Sequence, residues 1–216
     1  MVRVTSGKFI AFEGGEGMGK STQSRLLCDF LRDRGIEVVA TREPGGTPGA
    51  EAIRDLLLHP PGEGWGPQAE ALLFAAARAD HVSRLILPAL QSGRWVVCDR
   101  FLDSSRAYQG DAGALGDEKV RQLHAIGSGG LLPDLTIVIG ADSEVVGRRL
   151  RARDGDNADA IGGRDDAYHR AVNAAFDTFV QAEPTRFARL DGTGTIEEVH
   201  ERVVAAVGDK FGSDLA

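Results

Sequence analysis

Residues 14–22 read Gly-Gly-Glu-Gly-Met-Gly-Lys-Ser-Thr, and this stretch decides the fold. An apolar run at 9–12 precedes it and a helical pattern begins at Ser21, so the order is strand, glycine-rich loop and helix. Glycines let successive backbone N–H groups point into one concavity that holds phosphate oxygens, and the helix N-terminus adds partial positive charge there. The stretch therefore predicts a site for a nucleoside triphosphate.

The residues of this loop have distinct predicted roles. Lys20 reaches the β and γ phosphates, and the Ser21 hydroxyl can ligate Mg²⁺. Asp99 ends an apolar strand and can support the same cation, while Arg100 would face a second anion; a simple ion pair at the strand end is the alternative. The predicted nucleotide-binding residues are Gly14, Gly15, Glu16, Gly17, Met18, Gly19, Lys20, Ser21 and Thr22.

Strands and helices are predicted to alternate along the whole chain. Short runs rich in Val and Ile predict parallel strands buried on both faces at 9–12, 37–41, 95–99, 135–140 and 187–190. Helical patterns lie at 21–34, 48–58, 68–91, 103–109, 117–126, 143–153, 166–181 and 195–211. We predict an α/β fold, a three-layer sandwich around a five-stranded parallel sheet, as one domain over residues 1–216.

The composition excludes several classes of protein. The net charge of -7 argues against a nucleic-acid-coating protein, and no apolar run approaches the roughly 18 residues that span a bilayer, so we expect neither nucleic acid nor membrane as a partner. Cys28 and Cys98 both lie in apolar contexts and are typical of buried thiols in a reducing compartment, which indicates the cytoplasm.

Two loops and one helix offer further candidates for binding. The loop at 41–49 follows the second strand, where ligands of open parallel sheets bind, and the Gly- and Asp-rich segment at 154–163 could close over the site as a lid. Phe74 and Arg78 lie four residues apart and share a helix face, where they could stack on a base and bond its edge. A core Phe74 with a solvated Arg78 is the alternative.

A polar patch follows Asp99-Arg100 directly. It consists of Ser104, Ser105, Tyr108 and Gln109. Without further context, this is also what a loop entering a capped helix looks like. Only the position of the patch, beside the edge of the sheet where ligands bind, makes it a candidate for binding.

Five blocks, in order along the chain, make this sequence resemble the bacterial thymidylate kinases. They are residues 12–22, the Thr-Arg-Glu-Pro-Gly-Gly-Thr block at 41–47, and the blocks at 73–81, 99–110 and 133–136. The resemblance implies a phosphate-loop NTPase fold and Mg²⁺-dependent transfer of phosphate from ATP to thymidine monophosphate (dTMP), giving the diphosphate. It also implies a homodimer, with the helix at 68–91 as a candidate interface.

The resemblance assigns roles to individual residues. Phe74 would stack on thymine, Arg78 would bond the edge of the base, and Tyr108 would lie against the sugar. Arg42 and Arg100 would hold the acceptor phosphate. The implied dTMP-binding set is Glu16, Arg42, Phe74, Arg78, Arg100, Ser105, Tyr108 and Gln109.

The sequence departs from the family in the implied lid, at about 151–166. Related enzymes usually place an arginine after the aspartate there, whereas this chain reads Asp159-Ala160-Ile161. The arginine that clamps the transferred phosphoryl group would then be Arg153 or Arg164. The implied catalytic residues are Lys20, Arg100, Arg153 and Arg164, with Ser21 and Asp99 at the metal.

Two other functions fit the phosphate loop. A kinase for another nucleoside monophosphate is one, although the Phe74 and Arg78 pair argues against it. A nucleotide-dependent switch that hydrolyses ATP is the other, and it would need a water-positioning residue that the sequence does not identify.

Overall fold

The computed structural model describes residues 7–141 and 163–215. Its strands are β1 (Phe9–Glu13), β2 (Val38–Arg42), β3 (Trp95–Asp99), β4 (Leu135–Gly140) and β5 (Phe187–Asp191). Its helices are α1 (Lys20–Arg32), α2 (Pro48–Leu58), α3 (Pro67–His81), α4 (Leu87–Gln91), α5 (Leu102–Ser105), α6 (Asp117–Ser128), α7 (Asp166–Ala182) and α8 (Ile196–Phe211). Wide π-type turns occupy Val82–Ile86 and Arg106–Ala112, and a short 3₁₀ turn occupies Gly212–Asp214. The predicted helix at 143–153 lies outside the described residues.

The five strands form one parallel sheet in the order β2-β3-β1-β4-β5, which confirms the predicted sheet. Side chains of a strand alternate between the two faces of the sheet. On β1, Ile10 and Phe12 pack with α1 and α8, whereas Phe9 and Ala11 pack on the opposite face. Helices therefore cover both faces, and the three-layer sandwich is confirmed.

Local sequence signals explain where two of the helices begin. Thr47 caps α2 by accepting a hydrogen bond from Ala50 N, and Pro48 occupies the first turn, where a missing N–H costs nothing. Thr195 and Glu198 form a reciprocal capping box at the start of α8. Both caps start the helices within one residue of the predicted positions.

The long predicted helix at 68–91 is not a single α-helix. The structure has α3, then the π-type turn at Val82–Ile86, then α4. Pro88 lies in α4, and its ring and missing N–H exclude a regular hydrogen bond to the carbonyl four residues earlier. The π-type turn lies directly before this proline, so the regular hydrogen-bond ladder is interrupted at both features.

The sheet topology sets the position of the candidate site. The carboxyl ends of β1, β2 and β3 are neighbours, and Asp99 is the register partner of Arg42 on one side and of Phe12 on the other. Residues far apart in sequence therefore meet just above the phosphate loop. In the described parts of the chain, no helix is both long and apolar enough to cross a bilayer.

Candidate active site

The glycine-rich stretch forms a loop between β1 and α1, as predicted. Gly14 has a φ of 130°, and a Cβ there would lie 2.3 Å from the Ile139 carbonyl oxygen, so only glycine fits. Lys20 is buried at the start of α1, and its Nζ donates to Gly15 O at 2.6 Å. Burial, and next the charge of Arg100, lowers the pKa of Lys20 to about 8. Negative phosphates at this position would restore the charged form.

Ser21 and Asp99 lie together beside the loop. The Ser21 hydroxyl donates to Asp99 Oδ2, whereas Asp99 Oδ1 is buried without a hydrogen-bond partner among the described residues. No group of three or more His, Cys, Asp and Glu side chains gathers for a metal in residues 7–141 and 163–215. One hydroxyl and one carboxylate suit Mg²⁺, because Mg²⁺ that is bound together with a nucleotide takes most of its ligands from phosphates and water.

Arg100 connects the loop to the far side of the site. It has a φ of 68°, which is uncommon for a residue with a side chain and turns the chain sharply after β3. Its Nη1 donates to Gly14 O at 3.1 Å and to Ser104 Oγ at 3.0 Å. Its Nη2 donates to Glu16 Oε1 at 2.5 Å and contacts the Tyr108 hydroxyl at 3.3 Å. A fixed guanidinium thus lies between the phosphate loop and the polar patch.

Glu13 holds the segment that carries Arg100, a role that the sequence analysis missed. Its Oε1 accepts hydrogen bonds from Phe101 N at 2.9 Å and Ser104 N at 3.0 Å, and its Oε2 accepts one from Ser104 Oγ at 2.5 Å. The side chain is fully buried, and burial, followed by the nearby Asp103, raises the pKa of Glu13 to about 7. An acidic residue ending an apolar strand was the available signal.

Arg78 is fixed by a buried network at the other end of the site. Its Nε donates to Glu43 Oε2 at 2.7 Å and its Nη2 donates to Ser105 Oγ at 2.7 Å. Glu43 Oε1 lies 3.0 Å from His81 Nδ1. Arg78 is only 3% exposed, so the alternative of a solvated arginine is wrong. Phe74 is half-buried and faces the same space as Arg78.

A cavity of about 620 Å³ joins these groups. Most of the predicted residues line it: Glu16, Gly17, Met18, Gly19, Lys20, Ser21, Thr22, Arg42, Phe74, Arg78, Asp99, Arg100, Ser105, Tyr108 and Gln109. Ser104 of the predicted polar patch also lines the cavity, as do Arg54, Leu58 and Phe101, to which the sequence analysis gave no role. Burial raises the pKa of Tyr108 within this cavity, so its hydroxyl keeps its proton at neutral pH.

Three predicted arginines lie in different settings. Arg42 lines the cavity and is bonded to Glu51 at 3.0 Å and 3.1 Å. Arg164 lines a second cavity of about 350 Å³, where it pairs with Glu70 and donates to the Tyr168 hydroxyl. Arg153 lies outside the described residues, as do Ala160 and most of the predicted lid. The catalytic roles of Arg153 and Arg164 stay predictions.

Comparisons with known proteins point to a single family. A protein-family model described as thymidylate kinase matches residues 12–203. The chain is 53% identical over 205 residues to a thymidylate kinase of Rhizorhabdus wittichii, covering 94% of this chain and 98% of that protein. It is 45% identical over 211 residues to one from Bradyrhizobium sp. (strain ORS 278), covering 97% and 93% of the two chains. The crystal structure of thymidylate kinase from Ehrlichia chaffeensis matches with a TM-score of 0.77 and 30% identity, covering 94% of this chain and 99% of that one.

Proposed function

The chain belongs to the thymidylate kinase family and catalyses the ATP-dependent phosphorylation of dTMP to dTDP, and from that premise we propose that both nucleotides meet in the 620 Å³ cavity. The observation that carries this proposal is the composition of the cavity wall. The phosphate loop with Lys20 and Ser21 forms one end, and Phe74 with Arg78 forms the other. Arg100 lies between them, where two phosphate chains would approach each other.

The acceptor binds at the Phe74 end. The aromatic ring offers a stacking surface for thymine, and Arg78 offers donors to the edge of the base. Tyr108 is buried, contacts Arg100 and packs against the sugar. Glu16 also contacts Arg100, so its carboxylate lies beside the bound nucleotide. Arg100 and Arg42 hold the acceptor phosphate, since both line the cavity near the phosphate loop.

Transfer needs positive charge and alignment more than it needs a base. A phosphate monoester has a second pKa of about 6, so the attacking oxygen of dTMP is already deprotonated at neutral pH. The obstacle is repulsion between two anions, and fixed cations lower it without reorganisation. Lys20 and Arg100 supply that charge, and hydrogen bonds to the carbonyl oxygens of Gly15 and Gly14 already hold the two side chains in place.

We propose Mg²⁺ as the cofactor, bound by Ser21 and supported by Asp99. The buried and unpartnered Asp99 Oδ1, among the described residues, fits a cation or its water shell. The ion, when bound, neutralises charge on the β and γ phosphates. The resemblance to the family implies that the adenine lies near residues 191–193, and this loop does lie beside the phosphate loop, since a Cβ at Gly192 would be 3.6 Å from the Met18 carbonyl oxygen.

We further propose a homodimer. Leu72 on α3 is 56% exposed and Ile126 on α6 is 84% exposed. These two helices pack closely, since a Cβ at Gly127 would lie 3.3 Å from Ala79 Cβ. Large apolar side chains exposed on neighbouring helices are typical of a protein interface, and a second copy of the chain would cover them.

The remaining predictions concern the cellular compartment, the domain boundaries and the lid. Both cysteines are buried free thiols, which supports a reducing compartment such as the cytoplasm. The single domain at 1–216 and the lid at about 151–166 stay predictions, and residues 151–162 of that lid lie outside the described part of the chain.

A pair of variants tests the two ends of the cavity separately. Phe74→Ala removes the proposed stacking surface, so we expect weaker dTMP binding with ATP binding unchanged. Lys20→Ala removes the phosphate contact, so we expect transfer to be abolished in a folded protein that still binds dTMP. Calorimetric titration of each nucleotide into each variant measures binding, and ADP release in the presence of both nucleotides and Mg²⁺ measures transfer. Equal losses of both nucleotides in Phe74→Ala would contradict the placement of the base.

A further inference from the structure

Gln109 lies between the two cavities, and a carboxylate in the second cavity binds its side-chain amide. Gln109 lines both the 620 Å³ cavity and the 350 Å³ cavity, whereas Glu70 lines only the second. Gln109 Nε2 donates to Glu70 Oε1 at 2.9 Å, and both side chains are buried. The proposed base site and this carboxylate therefore face opposite sides of one amide.

The partners of Glu70 fix which way the amide points. Arg164 pairs with the other carboxylate oxygen of Glu70, and Tyr168 accepts from Arg164 while donating to the Tyr108 carbonyl at 2.7 Å. A carboxylate that is paired with arginine has acceptors only, so Gln109 must turn its NH₂ group toward it. Its carbonyl oxygen is then the end left for the main cavity. No described residue donates a hydrogen bond to Gln109 Oε1.

We propose that Glu70 is a positioning residue that makes Gln109 an acceptor toward the base of the monophosphate. Beside it, Arg78 is an obligate donor, since guanidinium has no acceptor. The wall thus presents one acceptor and one donor to the base edge. Thymine and uracil carry the complementary pair, a donating N3–H and an accepting O4, whereas cytosine carries an accepting N3 and a donating amino group. This inference rests on the proposed function, which places the base at the Phe74 end.

The variant Glu70→Gln tests the orientation directly. An amide at position 70 can donate to Gln109 Oε1, which frees Gln109 to turn its NH₂ group toward the cavity. Because the donating N3–H of the base then meets a donor, kcat/KM for dTMP and for dUMP should both fall by the same factor, about tenfold or more. The inhibition constant of dCMP should stay constant or fall, and the KM for ATP should not change.

A charge-conserving exchange supplies the rescue. In the double variant Glu70→Gln/Gln109→Glu, the amide lies at position 70 and the carboxylate faces the base as an acceptor. We expect this variant to recover much of the kcat/KM for dTMP that Glu70→Gln loses. A purely structural role for Glu70 does not predict recovery, since the exchange also breaks the original pair with Arg164.

The outcomes separate the two claims. The positioning role is wrong if Glu70→Gln weakens binding of dCMP by the same factor by which it lowers kcat/KM for dTMP and dUMP. It is also wrong if the double variant Glu70→Gln/Gln109→Glu keeps the thermal unfolding midpoint of the wild type but recovers no kcat/KM for dTMP. If Gln109→Ala lowers kcat/KM for dTMP and Glu70→Gln does not, the inference fails and the base site stands. If Gln109→Ala leaves kcat/KM for dTMP unchanged, the inference also fails, whereas only a silent Phe74→Ala would overturn the proposed base site itself.

Discussion

Replacing Glu13 by glutamine tests the buried carboxyl that holds the Arg100 segment. Burial raises the pKa of Glu13 from 4.5 to about 7, so the folded protein keeps this proton at pH values where the unfolded chain releases it. The stability contributed by this group is therefore fully present below pH 4.5 and is lost as the pH rises through 7. Each tenfold change in proton affinity is worth about 1.4 kcal/mol, which makes the total loss about 3 kcal/mol.

Glutamine is neutral at every pH and keeps the shape of the side chain. Its carbonyl oxygen can still accept from Phe101 N and Ser104 N, and its NH₂ group can donate to Ser104 Oγ. The free energy of unfolding of the wild type, minus that of Glu13→Gln, should therefore fall by about 3 kcal/mol between pH 4.5 and pH 8. Taking the difference removes the contributions of other carboxyls. Glu183 is one of them: burial opposes ionisation, but hydrogen bonds from Arg186 and Arg121 outweigh it and lower the pKa of Glu183 to about 2.

The assay is urea unfolding of both proteins at several pH values across that range. Glu201→Gln, which removes an exposed carboxyl on α8, controls for the loss of one charge. Parallel stability curves for the wild type and Glu13→Gln, within the error of the extrapolation, would refute the reasoning. The buried carboxyl would then titrate alike in the folded and unfolded states.

Three further predictions follow from the same geometry. Because the pKa of Lys20 is lowered to about 8 and phosphates would raise it, ATP binding at pH 8 should take up about half a proton. Calorimetry in two buffers of different ionisation enthalpy measures this uptake, which Lys20→Met should abolish; equal heats in both buffers for the wild type would be inconsistent with the proposal. Asp99→Asn should raise the Mg²⁺ concentration that gives the half-maximal rate by about tenfold or more, as the loss of a group that supports a metal ligand does. The same half-maximal Mg²⁺ concentration in the variant and the wild type would show that Asp99 does not support the metal. Ile126→Arg should convert a dimer to a monomer in analytical ultracentrifugation because it buries a charge in the proposed interface; a monomeric wild type would end that proposal.

The sequence predicted the sheet well because its signals are local. The phosphate-loop motif identifies β1 and α1, and short runs rich in Val and Ile that alternate with helical patterns favour parallel strands buried on both faces. The predicted strand bounds differ from the structure by at most one residue at each end. The helix at 68–91 was harder, because a π-type turn depends on how Pro88 is accommodated and not on hydrophobic period.

The site was predictable only where chemistry follows from neighbouring residues. Phe74 and Arg78 share a face because they are four residues apart, and both line the cavity. Contacts between distant residues carry no such signal. The bonds from Glu13 to the Arg100 segment and from Glu70 to Gln109 join positions that only the folded chain brings together.

The most direct test of the central claim is the crystal structure of this protein with a bisubstrate ligand, adenosine and thymidine joined through five phosphates, and Mg²⁺. The account predicts thymine stacked on Phe74 and bonded to Arg78, phosphates on the loop at Lys20, and the metal beside Ser21 and Asp99. A thymine ring bound away from Phe74, with the phosphate loop still occupied, would contradict the proposed division of the cavity.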